Sequence, residues 1–135
     1  VKSGKTVVFL ELKEGKYSIG QSEIGVENTA MGSYYFASPK TGHDIVKDNK
    51  PMDFKFWYHE EKELVAPFLN TVFVANDWTP VISSGSTNWV GDKGMALAVA
   101  ELSYGKGMFR VCQIQLTNRL QTNPTARIFA QRILN

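Results

Sequence analysis

The stretch from residue 95 to residue 116, MALAVAELSYGKGMFRVCQIQL, decides the fold of this chain. Two apolar runs flank the loop Gly105-Lys106-Gly107, and a short glycine loop in this position is typical of a β-hairpin. The alanines of the first run favour a helix, but the alternation of Leu97 and Val99 with small residues fits a strand. The sequence therefore predicts that residues 96–104 and 108–116 are antiparallel partners.

Further strands are predicted on both sides of position 40. TVVFLEL (residues 6–12) is a β-branched, nearly continuous apolar run, which is typical of a buried strand, and KYSIG (16–20) follows a turn at Gly15 and is expected to pair back with it. SYYFAS (33–38), TVFVAND (71–77) and TPVISSG (79–85) also have the composition of strands. Residues 40–67 lack a clear period and are expected to form a short helical turn or ordered loop.

The chain ends in the sequence of an amphipathic helix. Asn123 is a good N-cap and Pro124 suits the first helical position. The apolar residues that follow recur at the spacing of one helix face, which predicts a helix packed on a sheet. They are Ala126, Phe129, Ala130, Ile133 and Leu134.

Composition limits the classes of function. The 135 residues are enough for one domain with a core, and no apolar run reaches the roughly 18 residues that a membrane span needs. A net charge of +2 is too small to indicate a nucleic-acid partner. The cations that follow Glu101 are interpreted as a solvated basic face; they are Lys106, Arg110, Arg119, Arg127 and Arg132.

Cys112 is the single cysteine, which excludes an internal disulfide and a thiolate cluster for zinc. A catalytic cysteine needs a lowered pKa, from a helix N-terminus or a nearby imidazole, and access for a substrate. Cys112 lies in the middle of a predicted strand, and His43 and His59 are far upstream and form no local motif with it. We interpret it as a buried structural thiol.

No other pattern of residues nominates a catalytic group, a metal site or a cofactor. His43 and His59 are interpreted as surface histidines, the acids of HEEKE (59–63) as a solvated face, and Gly105-x-Gly107 is too short for a dinucleotide fingerprint. Four aromatic side chains could provide stacking platforms for a sugar ring, although large aromatics in a small domain are more often core or interface anchors. They are Trp57, Tyr58, Trp78 and Trp89.

Two segments together resemble a known family. GHDIVKDNKPMDFKFWY (42–58) resembles a segment of the form His-Pro followed by Asp-Phe-x-x-Trp, and YGKGMFRVCQIQL with NPTARIFAQRIL resembles a closing strand and helix. In both segments the chain resembles the glutamine-amidotransferase-like domain found at the C-terminus of some bacterial family 2 glycoside hydrolases, the β-galactosidase-like group. Asp44 departs from the pattern, since the family usually has proline after the histidine.

The resemblance implies an α/β fold: a Rossmann-like layered sheet of the class I glutamine-amidotransferase type, with flanking helices, truncated at its N-terminus. It also implies a bacterial, periplasmic or secreted parent enzyme whose catalytic carboxylates lie in a separate barrel domain. The G-x-C-x-G elbow of true amidotransferases does not occur here, so no catalytic role passes to Cys112.

The leading hypothesis is therefore that residues 1–135 are one accessory, non-catalytic α/β domain, a fragment of a longer glycosidase. Its expected partners are the other domains of that enzyme, carbohydrate, or further copies of the chain, with no nucleic acid or membrane. Two alternatives remain open. One is a carbohydrate-binding module that uses Trp57, Trp78 or Trp89, and the other is a Cys112-dependent amidotransferase-like enzyme.

Overall fold

A computed structural model describes residues 1–28, 37–84 and 95–135 of the chain. Nine strands and one α-helix lie within these residues. They are β1 (Thr6–Leu10), β2 (Gly15–Ile19), β3 (Ser22–Asn28), β4 (Tyr58–His59), β5 (Leu64–Val65), β6 (Thr71–Ala75), β7 (Thr79–Ser83), β8 (Met95–Tyr104), β9 (Gly107–Cys112) and α1 (Pro124–Leu134). Two 3₁₀ turns, Asp44–Val46 and Pro51–Phe54, precede β4.

β8 is the central strand of a seven-stranded mixed sheet. Its first three residues pair with β6, its middle with β7 and its last six with β9, all antiparallel. The buried segment from Ala96 to Ala100 consists mostly of small residues, which lets neighbouring elements approach both of its faces closely. The sheet continues from β6 to β3 and β2, and from β9 to β1.

The hairpin predicted from the glycine loop is confirmed. Tyr104 lies opposite Gly107, and Gly105 adopts the left-handed conformation that the tight turn requires (φ 63°). At Gly107 the carbonyls of Val1 and Lys5 approach so closely that a Cβ atom would collide with them. The second strand is shorter than predicted and ends at Cys112, after which Ile114 makes an isolated bridge to Leu69.

The predicted Rossmann-like layered α/β fold is wrong. A fold of that kind alternates strands with helices, so that its strands are parallel and covered on both faces. Here every pair of the large sheet except β1 with β9 is antiparallel, and α1 is the α-helix that the described residues contain. The protein is mostly β, a curled mixed sheet with one C-terminal helix.

Two details of the predicted strands are also corrected. β1 lies at an edge of the sheet with Val7 and Leu10 partly exposed, so it is not fully buried as its apolar run suggested. β2 pairs with β3 and not with β1. Residues 33–36 of the predicted strand at 33–38 and residue 85 of the predicted strand at 79–85 lie outside the described residues. β6 and β7 confirm the two strands predicted between residues 71 and 85.

The sheet has a hydrophobic cluster on each face. The larger cluster contains α1 and an aromatic group in which Phe54 stacks on Trp57 and meets Phe129 edge-on, each at a centroid distance of 5.6 Å. The smaller cluster is formed around Phe73 and Trp78. The segment 40–67 thus contributes its aromatic residues to the core, through 3₁₀ turns and the small β4–β5 sheet.

The C-terminal helix is confirmed with its cap. The side chain of Asn123 accepts a hydrogen bond from the Ala126 N–H at 3.2 Å, and Pro124 begins the helix. Ala126, Phe129, Ala130 and Ile133 are buried against the sheet, whereas Leu134 is exposed.

Ala130→Asp is expected to lower the melting temperature by roughly 10 °C or more, because it places an unpaired charge on the buried face of α1. Thermal unfolding followed by circular dichroism measures the change. Gln131→Asp, at the exposed neighbouring position, is the matched control and should shift the midpoint by about 2 °C or less. Equal midpoints for the two variants would contradict the assigned helix face.

Candidate functional site

Within the described residues, the ionisable side chains with the shortest mutual contacts surround the carboxylate of Glu101, on β8. Arg110 lies directly opposite on β9, and its Nε and Nη2 donate to Glu101 Oε1 at 2.8 and 2.6 Å. His43 Nε2 lies 2.7 Å from Oε2. Glu101 and Arg110 are 7% and 6% exposed, so the pair is almost completely removed from water.

Both ring nitrogens of His43 are engaged. Nδ1 accepts a hydrogen bond from the Ile45 N–H at 3.1 Å and caps the 3₁₀ turn Asp44–Val46, so the ring proton is on Nε2, where it faces Glu101. A general base needs a free nitrogen within reach of a substrate proton. His43 therefore orients the turn that follows it and offers no base to the cleft beside it.

That cleft is shallow and open, with a volume of about 300 Å³. Its lining residues are Thr41, Gly42, His43, Asp44, Thr79 and Pro80. None of these described residues is Phe, Tyr or Trp, so they give the cleft no large aromatic platform for a sugar ring.

The guanidinium of Arg110 also reaches α1. Its Nη1 donates to the carbonyl of Ile133, in the last turn of the helix, where unpaired carbonyls carry partial negative charge. Arg110 and Arg119 are both buried, so the prediction of one solvated basic face after Glu101 is wrong for these two residues. They contribute to the interior of the protein.

Cys112 is completely buried on β9, and burial raises the pKa of its thiol to about 12. At neutral pH about one molecule in 10⁵ would carry the thiolate, which is the nucleophilic form. Among the described residues no hydrogen bond joins its sulfur to a histidine. The interpretation of Cys112 as a buried structural thiol is confirmed.

The structure separates the four aromatic residues considered for sugar binding. Trp57 is fully buried and donates its indole N–H to the Gln115 carbonyl at 2.6 Å. Trp78 is 4% exposed and donates to Ser22 Oγ at 2.9 Å. Tyr58 is half-buried in β4, opposite Val65, and Trp89 lies outside the described residues. Neither Trp57 nor Trp78 presents a ring face to solvent.

The Glu101–Arg110 pair was not predicted from the sequence, although the register of the predicted hairpin indicates it. Once Tyr104 is placed opposite Gly107, counting back along the hairpin brings Glu101 opposite Arg110. His43 has no such signal, because it reaches Glu101 from 58 positions away.

Comparison with known proteins adds no assignment, since no family model, curated protein or solved structure matches this chain. Within residues 1–28, 37–84 and 95–135, no group of three or more His, Cys, Asp or Glu side chains could hold a metal ion. No helix in the same residues is long and apolar enough to cross a membrane.

Glu101→Gln is expected to cost about 3–5 kcal/mol of unfolding free energy, because it leaves the buried Arg110 guanidinium without a countercharge. Urea unfolding measures the change. Glu23→Gln, an exposed position on β3, is the matched control and should cost about 0.5 kcal/mol or less. The double variant Glu101→Leu/Arg110→Met should recover part of the loss, and a cost below about 1 kcal/mol for Glu101→Gln would contradict the role of the pair.

The buried thiol predicts a pH dependence of stability. Between the ordinary thiol pKa of 9.0 and the raised value of about 12, the unfolded chain releases the Cys112 proton and the folded chain retains it. The free energy of unfolding should therefore fall with rising pH by about 1.4 kcal/mol per unit from this group.

Cys112→Ala removes this contribution and keeps the other titrating groups. Urea unfolding between pH 8 and pH 11 should give a shallower decline for the variant than for the parent chain. Identical slopes would show that the thiol titrates as if it were in water.

Proposed function

We propose that this chain is a non-catalytic accessory domain of a β-galactosidase-like glycoside hydrolase, with a role in packing between domains or subunits. The observation that carries the non-catalytic part is the engagement of the reactive side chains. Both nitrogens of His43 are hydrogen-bonded, Glu101 is held by Arg110, and Cys112 is buried as a neutral thiol.

The packing role draws support from apolar side chains that stay on the surface. Phe56 is 70% exposed, and Met52, Leu64 and Val65 in the same stretch are about half exposed. Large apolar side chains in such positions are typical of surfaces that pack against another protein. The connection to a glycosidase rests on the resemblance of residues 42–58 and of the closing strand and helix.

The two alternatives have less support. A Cys112-dependent enzyme would need a thiolate and access to it, and the buried sulfur has neither. Of the four aromatic residues considered for a carbohydrate-binding module, Trp57 and Trp78 have covered ring faces, which leaves Tyr58 and Trp89.

The proposal is tested in the parent protein. The codons upstream of Val1 should encode a barrel domain with a pair of catalytic carboxylates. Removal of residues 1–135 should change kcat on an aryl β-galactoside, counted per active site, by about twofold or less relative to the intact parent. It should also lower the melting temperature by several degrees, because an accessory domain stabilises its neighbours without touching substrate.

Cys112→Ala in the intact parent is the matched control and should leave kcat unchanged. An upstream region without a glycosidase domain would contradict the assignment. A large loss of kcat in the Cys112→Ala variant, with an unchanged fold, would contradict the non-catalytic role.

A further inference from the structure

The side chain of His43 joins the 3₁₀ turn Asp44–Val46 to the buried charges of the sheet. Its Nδ1 accepts the Ile45 N–H at 3.1 Å, and its Nε2 lies 2.7 Å from Glu101 Oε2. Together these contacts require the neutral ring, because only an unprotonated ring nitrogen can accept a hydrogen bond. The side chain is 17% exposed, so the ring is within reach of water and of its protons.

A second proton on this ring can be added only at Nδ1. It would turn the acceptor of the Ile45 N–H into a donor, and two N–H groups that face each other form no hydrogen bond. The contact with Glu101 would remain, because the charged ring still donates through Nε2 and gains the attraction of the carboxylate. Protonation of His43 therefore breaks one of its two contacts and strengthens the other.

The charged groups that face His43 favour a ring that stays in place when it is charged. Glu101 on β8 lies against Nε2, and Arg110 on β9 binds the other oxygen of the same carboxylate. Among the described residues that line the cleft beside the ring, Asp44 is the other charged one, and β7 contributes uncharged residues. Two carboxylates and one guanidinium leave an excess of negative charge around the imidazole.

The direction of the pH effect follows from the bond that differs between the two states of the turn. Glu101 attracts the ring whether the turn is closed or open, so this attraction favours neither state. The closed turn uses the lone pair of Nδ1 for the Ile45 N–H, whereas the open turn leaves that lone pair free for a proton. The state that binds the additional proton is favoured as the pH falls, and this state is the open turn.

The turn has room to move at its start. It separates two clefts of about 300 and 590 Å³, and Asp44 lines both of them. The other end of the turn is held more firmly, because Arg132 on α1 donates to the Ile45 carbonyl at 3.1 Å and Val46 is buried in the larger cluster. Opening is therefore confined to the backbone between His43 and Ile45.

We propose that the turn Asp44–Val46 is a pH-sensitive latch. Neutral His43 holds the start of the turn closed, and protonation of Nδ1 releases it, while the Glu101–Arg110 pair and the sheet stay intact. Release joins the two clefts beside the guanidinium of Arg110, which lines the larger one. The latch is a property of this chain alone and goes beyond the proposed accessory role.

The latch is tested by NMR of the 135-residue chain between pH 8 and pH 5, the range in which imidazoles ordinarily change charge. At pH 8 the ring nitrogen signals should place the His43 proton on Nε2. As the pH falls, the ring should take up its second proton, and the Ile45 amide proton should move upfield over the same interval because it loses its acceptor. The amide signals of Val26 and Phe73, in the β3–β6 ladder, should keep their positions.

Two variants separate His43 from the other imidazole of the chain. Asparagine is a good N-cap that does not titrate, so His43→Asn should keep the Ile45 amide signal at one position from pH 8 to pH 5. His59→Gln is the matched control, because His59 accepts the N–H of Lys62 in a different turn. It should leave the transition of the Ile45 signal unchanged.

The latch would be overturned by a ring that takes up its second proton while the Ile45 signal stays in place. A ring that remains neutral down to pH 5, or one that carries its proton on Nδ1 at pH 8, would overturn it as well. A simultaneous shift at Val26 and Phe73 would show that the whole sheet responds, which also contradicts a local latch. If His43→Asn fails to fold, the titration of the unaltered chain still decides. None of these measurements uses the parent enzyme, so the latch and the accessory role can fail separately.

Discussion

The buried carboxylate of Glu101 is the interaction on which the rest of the structure depends. It accepts from Arg110 across the β8–β9 hairpin and from His43 at the start of a 3₁₀ turn, while Arg110 continues to the Ile133 carbonyl at the end of α1. Hairpin, turn and helix are thus held by one group of charges. Buried ions of this kind must be fully paired, since removal of one partner leaves an uncompensated charge in the interior.

The same contacts limit the chemistry that His43 and Glu101 could perform. A catalytic imidazole or thiol needs a free lone pair and access to a substrate. In this protein the lone pair of His43 Nδ1 accepts a backbone N–H, and Cys112 is enclosed between the strands and α1. These polar groups, which could have served a reaction, stabilise the fold.

The two edges of the large sheet are formed in different ways. On one side the β2–β3 hairpin continues the antiparallel pattern from β6. On the other side β1 joins in parallel, and the amide of Gln113 bonds to both the N–H and the C=O of Leu12, which extends the contact beyond the last residue of β1. β1 is therefore firmly attached along its inner edge, and no strand within residues 1–28, 37–84 and 95–135 pairs with its outer edge.

Local signals in the sequence were sufficient for the hairpin and the helix. The glycines at 105 and 107 specify a tight turn and Asn123 with Pro124 specifies a helix start, and both operate over a few residues. The order of the strands was not predictable in this way, because β1 meets β9 across about 100 residues and periodicity carries no information on such pairing. For the same reason the sequence could not tell that Trp57 is core and that His43 reaches Glu101. Those outcomes were decided by which distant segments bury the most apolar surface while leaving few buried polar groups unpaired.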